Sequence, residues 1–299
     1  MQRLHLLPPP AASPVEESSD PLLLKDLSPI RFDVNNFAYG DMTLGKVELN
    51  LRPVEKKLVL DNLNITARSF NAEASGQWDE GGNTQVDLVL SSGDFGRMMH
   101  DLGFASVISG GKASAKGQLS WPGSPAAFSV SRLGGQVHVK IDEGKIEEVK
   151  PGAGKLLGLL SLQALPRRLF LDFSDLSGKG LQFSTLEGDI RFSEGNAFTQ
   201  NLRLESLPAN MLITGRTGLV SRDFDQLIAV VPNVSDTVSV AGGLAWGPQA
   251  AAILLVLQKL FQSNIDAATM IRYQLSGSWN EPKLTKLDEG ASSPDDGGL

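Results

Sequence analysis

The chain has 299 residues, 41% of them hydrophobic and 20% charged, so it can bury a sizeable core and is not a wholly disordered polymer. A net charge of −7 argues against a nucleic-acid binder, which needs a cationic footprint, and two tyrosines leave little for a base-stacking platform. No cysteine is present, which removes disulfides, thiolate metal ligands and cysteine nucleophiles together and fits an oxidising compartment or a cytosolic one alike.

Residues 1–27 begin with a short apolar hint, Leu4 to Leu7, cut off by Pro8-Pro9-Pro10. That stretch is too short for the apolar core of a secretory signal, and the Pro/Ser/Glu composition predicts an extended, disordered linker.

From Ile30 onward the dominant period is two. Val47, Leu49 and Leu51 share one face of "MTLGKVELNL"; Leu58 and Leu60 alternate in "KLVL", followed by Leu63 and Ile65. Val86, Leu88 and Leu90 do the same in "TQVDLVL", as do Val137, Val139 and Ile141 in "QVHVKI". Ile190 with Phe192 and Leu202 with Leu204 complete the series. Such alternation predicts strands with one apolar and one polar face. Turn residues punctuate them at Gly40-Asp41, Gly81-Gly82, Gly134-Gly135, Asp142-Glu143-Gly144, Glu194-Gly195-Asn196 and Gly242-Gly243. Connections this short favour an antiparallel meander, because parallel strands need long crossovers.

Three helical interruptions are predicted. In "SGDFGRMMHDLGF", Phe95, Met98, Met99 and Leu102 form one stripe, with Asp94 as N-cap and Gly103 at the C-terminal end. The second runs from Pro151 to about Ala164 and stops at Pro166; the third follows Gly247-Pro248 and is apolar almost all round. Trp78, Trp121 and Trp279 each follow a glycine near a strand end and precede turn residues, a repeated strand-plus-turn unit in which simple packing also accounts for the indole.

No catalytic site assembles. "PGAGKLLGLLSL" (151–162) looks like a phosphate loop, but Gly154-Lys155 would require glycine at Val149 and a hydroxyl at Leu156. As a dinucleotide fingerprint its third glycine, Gly158, comes one residue late. The pairs Asp142-Glu143 and Glu147-Glu148 are adjacent in sequence, so on a strand they point to opposite faces and form no acid/base couple. His5, His100 and His138 lack ligand spacing. The chain therefore calls for no catalytic residue, no metal ligand and no cofactor.

An antiparallel sheet with one apolar face must hide that face against a second sheet, against helices, or against something that is not protein. Acyl chains are one such filler, since each buried methylene contributes about 0.8 kcal/mol. The third helix leaves two readings open: a helix buried all round, or an element in which Ile253, Leu254, Leu257, Leu260 and Phe261 contact a membrane interface.

The block "PGAGKLLGLLSLQALPRRLFLDFSDL" (151–176) resembles the signature of the YhdP branch of the AsmA-like family, as do "MLITGRTGLVSRDFDQLIAVVP" (211–232), "GGLAWGPQAAAILLVLQKLF" and "YQLSGSWNEPKLTKL". The resemblance spans residues 28–287, leaving an acidic, glycine-rich tail at 288–299 that composition marks as disordered. It implies a mainly β fold: a long, curved antiparallel sheet forming an open apolar groove, capped by a few short helices. It further implies a periplasmic, cell-envelope location in a Gram-negative bacterium and a non-catalytic role carrying phospholipid between inner and outer membranes. This chain would be the C-terminal portion, lacking the inner-membrane anchor. The partners implied are phospholipid acyl chains, a membrane surface of the outer membrane, and the missing N-terminal part of the same protein, with no nucleic acid. The groove candidates are the alternating residues named above, from Val47 to Leu204. The competing reading is an envelope scaffold or outer-membrane assembly factor that binds proteins through its sheet edges.

Overall fold

The computed structural model describes residues 3–6, 27–40, 42–104, 108–147, 180–233, 255–256, 259 and 270–287. Among the described residues fourteen strands form one sheet in strict chain order: β1 (Arg3–Leu6), β2 (Ile30–Tyr39), β3 (Met42–Val54), β4 (Lys57–Thr66), β5 (Phe70–Asp79), β6 (Asn83–Ser92), β7 (Ile108–Pro122), β8 (Gly134–Ile146), β9 (Leu181–Ser193), β10 (Asn196–Ser206), β11 (Ala209–Gly218), β12 (Asp223–Pro232), β13 (Ile271–Ser278) and β14 (Pro282–Lys286). From β2 onward each strand runs antiparallel to the next. The two end strands do not pair, so this curved sheet stays open. One addition falls where a linker was expected: β1 pairs in parallel with Asn36–Tyr39 of β2.

The period-two pattern converts into strands because each hairpin turn supplies the left-handed backbone that a tight reversal needs. Glu55, Gly81, Glu194, Gly195 and Arg222 all have positive φ at turns. Two expected turns fall within β8, one at its start and one in its interior. Gly134 and Gly135 open β8, and Asp142-Glu143-Gly144 lies inside it, opposite Gly110–Lys112 of β7. There Glu143 (φ +58°) and Gly111 (φ +84°) bend both strands together. Beyond the bend the inward positions change parity, from Ala113 and Ile141 to Ile108 and Ile146. The local left-handed conformation is real, but it makes a kink and the pairing continues through it.

α1 (Phe95–Asp101) connects β6 and β7. The Asp94 carboxylate accepts a hydrogen bond from the Arg97 backbone N–H at 3.0 Å, and Gly103 (φ +79°) follows the last turn. Met98 is buried, and Phe95, Met99 and Leu102 pack beside it against Phe70, Ala72, Ile65 and Leu90. Because the chain reverses at every strand, connections alternate between two long edges of the sheet. The β6–β7 connection with α1 leaves from one edge, the α1 edge. The β5–β6 and β7–β8 turns lie on the opposite edge beside Trp78 and Trp121, with Trp279 after β13: the tryptophan edge. The predicted helix at 151–164 lies outside the described residues.

Candidate functional site

Following the register strand by strand places all fifteen groove candidates on one face. Val47 stands opposite Val34 and Ile65; Leu49 opposite Phe32 and Leu63; Leu51 opposite Ile30 and Leu60. The row continues from Leu58 to Trp78, Leu60 to Gly76, Gly76 to Val86, Ala74 to Leu88 and Ala72 to Leu90. Leu90 meets Ala115, which meets Val139; Gly117 meets Val137, which meets Ile190. Ile141 faces Leu186, Leu186 faces Leu204, and Phe192 faces Ala197. Directly opposed residues in a sheet share a face, so a single apolar surface crosses the sheet from β2 to β10 and continues through Met211, Ile213, Ile228 and Tyr273.

Two apparent faults in the alternation prove structural. Leu58 and Leu60 are out of phase with Leu63 and Ile65, and Ala197 and Thr199 with Leu202 and Leu204. In each case the register shifts between the two pairs: on the β5 side Asp61 and Asn62 oppose the single residue Ser75, and on the β11 side Gln200 and Asn201 oppose the single residue Thr214. A bulge adds one residue and returns the next leucine to the same face.

Glycines on this face bring neighbouring backbones into close approach. A Cβ on Gly76 would lie 2.2 Å from the Gln85 carbonyl oxygen; on Gly117 and Gly135 it would lie 2.1 Å from the carbonyls of Gln136 and Gln118. On Gly188 it would lie 2.6 Å from the Leu202 Cα. No side chain fits there without pushing the next strand away, so these glycines permit sharp local bending of the sheet.

Burial divides the surface into two stretches. Leu49, Leu51, Leu58, Leu60, Val86, Leu88, Leu90, Val139 and Phe192 are partly exposed, while Val47, Val137, Ile141, Ile190, Leu202 and Leu204 are buried. Of the buried group, Ile141, Leu202 and Leu204 merge with Leu186, Met211, Ile213, Ile228, Val230 and Leu275 into one core spanning β7 to β13. Within β3 to β6 the same alternation leaves a strip of apolar side chains open to the outside, with α1 covering its end at the α1 edge. Phe32, Val34 and Leu119 belong to the same surface and were not among the candidates, although "IRFDV" carries the same period as its neighbours.

Along β7 to β10 the reverse face is largely polar and ionic, whereas on β11 and β12 it buries Leu212, Ala229 and Val231. His138 lies 3.0 Å from Asp189 and 3.2 Å from Glu187, which also pairs with Arg203 at 2.7 Å. The Asn201 amide, and then His138, hold the Asp189 carboxyl below the usual range. Arg216 and the Ser221 hydroxyl hold Asp223 down to about 2. The carboxylates of the first adjacent pair are engaged separately: Asp142 accepts from Thr185 and pairs with Lys140, while Glu143 pairs with Lys112. Glu147 pairs with Lys145, and Glu148 lies outside the described residues.

Trp78, Trp121 and Trp279 line one edge of the apolar face. Trp78 and Trp121 flank Thr84 across β5, β6 and β7 and both are buried; Trp279 stacks on Phe224 at 6.4 Å. Trp121 donates its indole N–H to the Ser124 carbonyl at 3.0 Å. Of the third predicted helix, Leu255, Val256 and Lys259 are described, and Leu255 is 66% exposed. The membrane-contact candidates Ile253, Leu254, Leu257, Leu260 and Phe261 lie outside the described residues. Among those described, no helix is long and apolar enough to cross a membrane.

A family model described as YhdP protein matches residues 1–284. The intermembrane phospholipid transporter YhdP of Escherichia coli (strain K12) is 27% identical over 247 residues, which is 81% of this chain and 20% of that protein. The chain thus spans about a fifth of that relative's length. No solved structure matches the chain.

Proposed function

The chain belongs to the YhdP family, and from that premise we propose that its partly exposed apolar face is a non-catalytic groove holding phospholipid acyl chains. One observation carries this reading: the leucines from β3 to β6, together with Val86, share a register-continuous face yet remain partly exposed, in a relative of a protein named as a phospholipid transporter. An apolar strip open to water is unfavourable by about 25 cal/mol for every Å² exposed, and aliphatic cargo removes that cost. In this reading the chain is the C-terminal portion of a longer envelope protein. It works in the periplasm between two membranes, joins the rest of the protein through its β1–β2 side, and brings the 253–261 segment to the outer membrane.

The scaffold alternative requires a sheet edge that welcomes another strand. β14 offers five residues, with Pro282 unable to donate a ladder hydrogen bond and Lys283 and Lys286 placing charge along it. Those are features of an edge kept from pairing. The test is native mass spectrometry and thin-layer chromatography of the purified chain. Co-purifying phospholipid supports the groove; a lipid-free chain that also fails to take up lipid from vesicles overturns it.

A further inference from the structure

Apolar lining by itself selects nothing about a headgroup, yet one cleft beside it has the chemistry to do so. At the α1 edge, a cleft of about 610 Å³ opens between the ends of β2, β3 and β4 and α1, lined in part by Phe37, Lys46, Thr66, Arg68, Arg97 and Asp101. Most strand cations here are neutralised: Arg52, Lys112, Lys140, Arg203 and Arg216 each hold a carboxylate. In the cleft, Lys46 is held by Glu48, and the Asp101 carboxylate accepts from the Ser69 hydroxyl at 2.7 Å. The guanidiniums of Arg68 and Arg97 have no partner among the described residues, and both are exposed toward solvent. They come from different elements, the β4–β5 turn and α1, and line one cleft because α1 folds back over the sheet.

Their position relative to the apolar strip matters most. Ala67, the neighbour of Arg68, both lines the cleft and packs against the cluster of Phe70, Ala72 and Met98, and Arg97 is the neighbour of Met98 in α1, so the cleft borders that apolar cluster. A ligand that touches both surfaces must be aliphatic at one end and anionic at the other. Guanidinium groups present planar pairs of donors that match phosphate oxygens, and two of them at one cleft suit a phosphodiester.

We infer that Arg68 and Arg97 form a phosphate-headgroup site at the α1 edge, fixing the polar end of a phospholipid whose acyl chains lie along β3 to β6. This rests on the groove reading above and adds a preference to it: lipids that carry a phosphate are retained over neutral lipids with the same acyl chains.

The test loads the 299-residue chain from vesicles containing acyl-labelled phosphatidylglycerol or the matching labelled diacylglycerol. Wild type is expected to retain the phosphatidylglycerol in preference, by about tenfold for each guanidinium engaged, since a charge-assisted hydrogen bond contributes roughly one decade of affinity. R68E/R97E is expected to lose that preference while still taking up diacylglycerol, and R68K/R97K to keep part of it. Equal retention of both lipids by wild type, or a preference that survives R68E/R97E, overturns the headgroup site and leaves the groove standing. Uptake of neither lipid overturns the groove itself. A last arm uses inorganic phosphate: competition with phosphatidylglycerol supports shared phosphate chemistry, whereas phosphate binding lost in R68E/R97E without any lipid retention assigns the site to the free ion and overturns the lipid assignment.

Discussion

Replacing Leu88 by lysine places a charge in the middle of the open strip with the least disturbance to the fold. Leu88 faces Ala74 on one side and Gly117 on the other, so no neighbouring side chain shields the new ammonium from the groove. The leucine is already partly exposed, and a lysine stem can lie along the same surface with its head in water. The cost to folding should therefore stay below ~1 kcal/mol, well under the ~1.5–3 kcal/mol of a fully buried leucine. Cargo fares differently. A hydrated ammonium clears a length of acyl chain about one strand spacing wide, roughly three methylenes, which removes about 2.4 kcal/mol or a factor of roughly 50 in affinity. Lipid retention after vesicle incubation, scored beside a thermal melt, separates the two effects. If L88K melts like wild type and keeps its full complement of lipid, this strip does not hold the acyl chains.

Three further outcomes test the scaffold around it. Gly117→Val would set its Cβ 2.1 Å from the Gln136 carbonyl oxygen and should destabilise by about 1–3 kcal/mol; Gly93→Ala, with nothing within 4 Å, should leave the melting temperature almost unchanged. Leu204→Ala empties a site with no exposed surface and should cost about 2–5 kcal/mol in urea unfolding at an unchanged m-value. Asp223→Asn removes the partner of Arg216. The Asp223 carboxyl is depressed from 3.8 to about 2, so its contribution is complete above pH 3.8 and fades as pH falls toward 2. The urea-unfolding free energies of wild type and D223N should differ modestly at pH 7, by less than about 1 kcal/mol because the pair is partly exposed, and converge across that acidic window.

The strands of the first half were legible because only one of their faces is covered. "TQVDLVL" alternates since Val86, Leu88 and Leu90 look inward while Gln85, Asp87 and Val89 look out. β11 and β12 carry a weaker alternation: Met211, Leu212 and Ile213 are all buried, as are Ile228, Ala229, Val230 and Val231. A strand covered on both faces has no reason to alternate, so resemblance identified this stretch where period could not. Bulges hid behind a phase slip between Leu60 and Leu63 that reads as two elements until the partner strand is known. The kink at Glu143 resembled a turn because both use left-handed backbone; only the pairing on either side distinguishes them. The cleft cations were not legible at all, since Arg68 and Arg97 are 29 positions apart, each beside ordinary turn or helix residues.

The same hydrophobic alternation thus yields a closed core in one half and an open strip in the other, and side-chain bulk helps to decide which. Along β9 to β13 the inward positions are mostly large: Leu186, Leu204, Met211, Ile213, Ile228 and Tyr273. Along β5 to β7 they alternate between large and small, with Ala72, Ala74, Gly76, Ala115 and Gly117 interleaved among leucines and valines. Small residues on a bending sheet leave depth that the chain's own side chains do not fill. A polypeptide evolved only to close a core gains from filling that depth, because each missing methylene there forgoes about 0.8 kcal/mol. Retaining it makes physical sense if another molecule supplies the methylenes. Cargo bound to the folded chain and not to the unfolded one then stabilises the fold by RT ln(1 + [L]/Kd), and melting temperature should rise with phospholipid loading in wild type but much less in L88K.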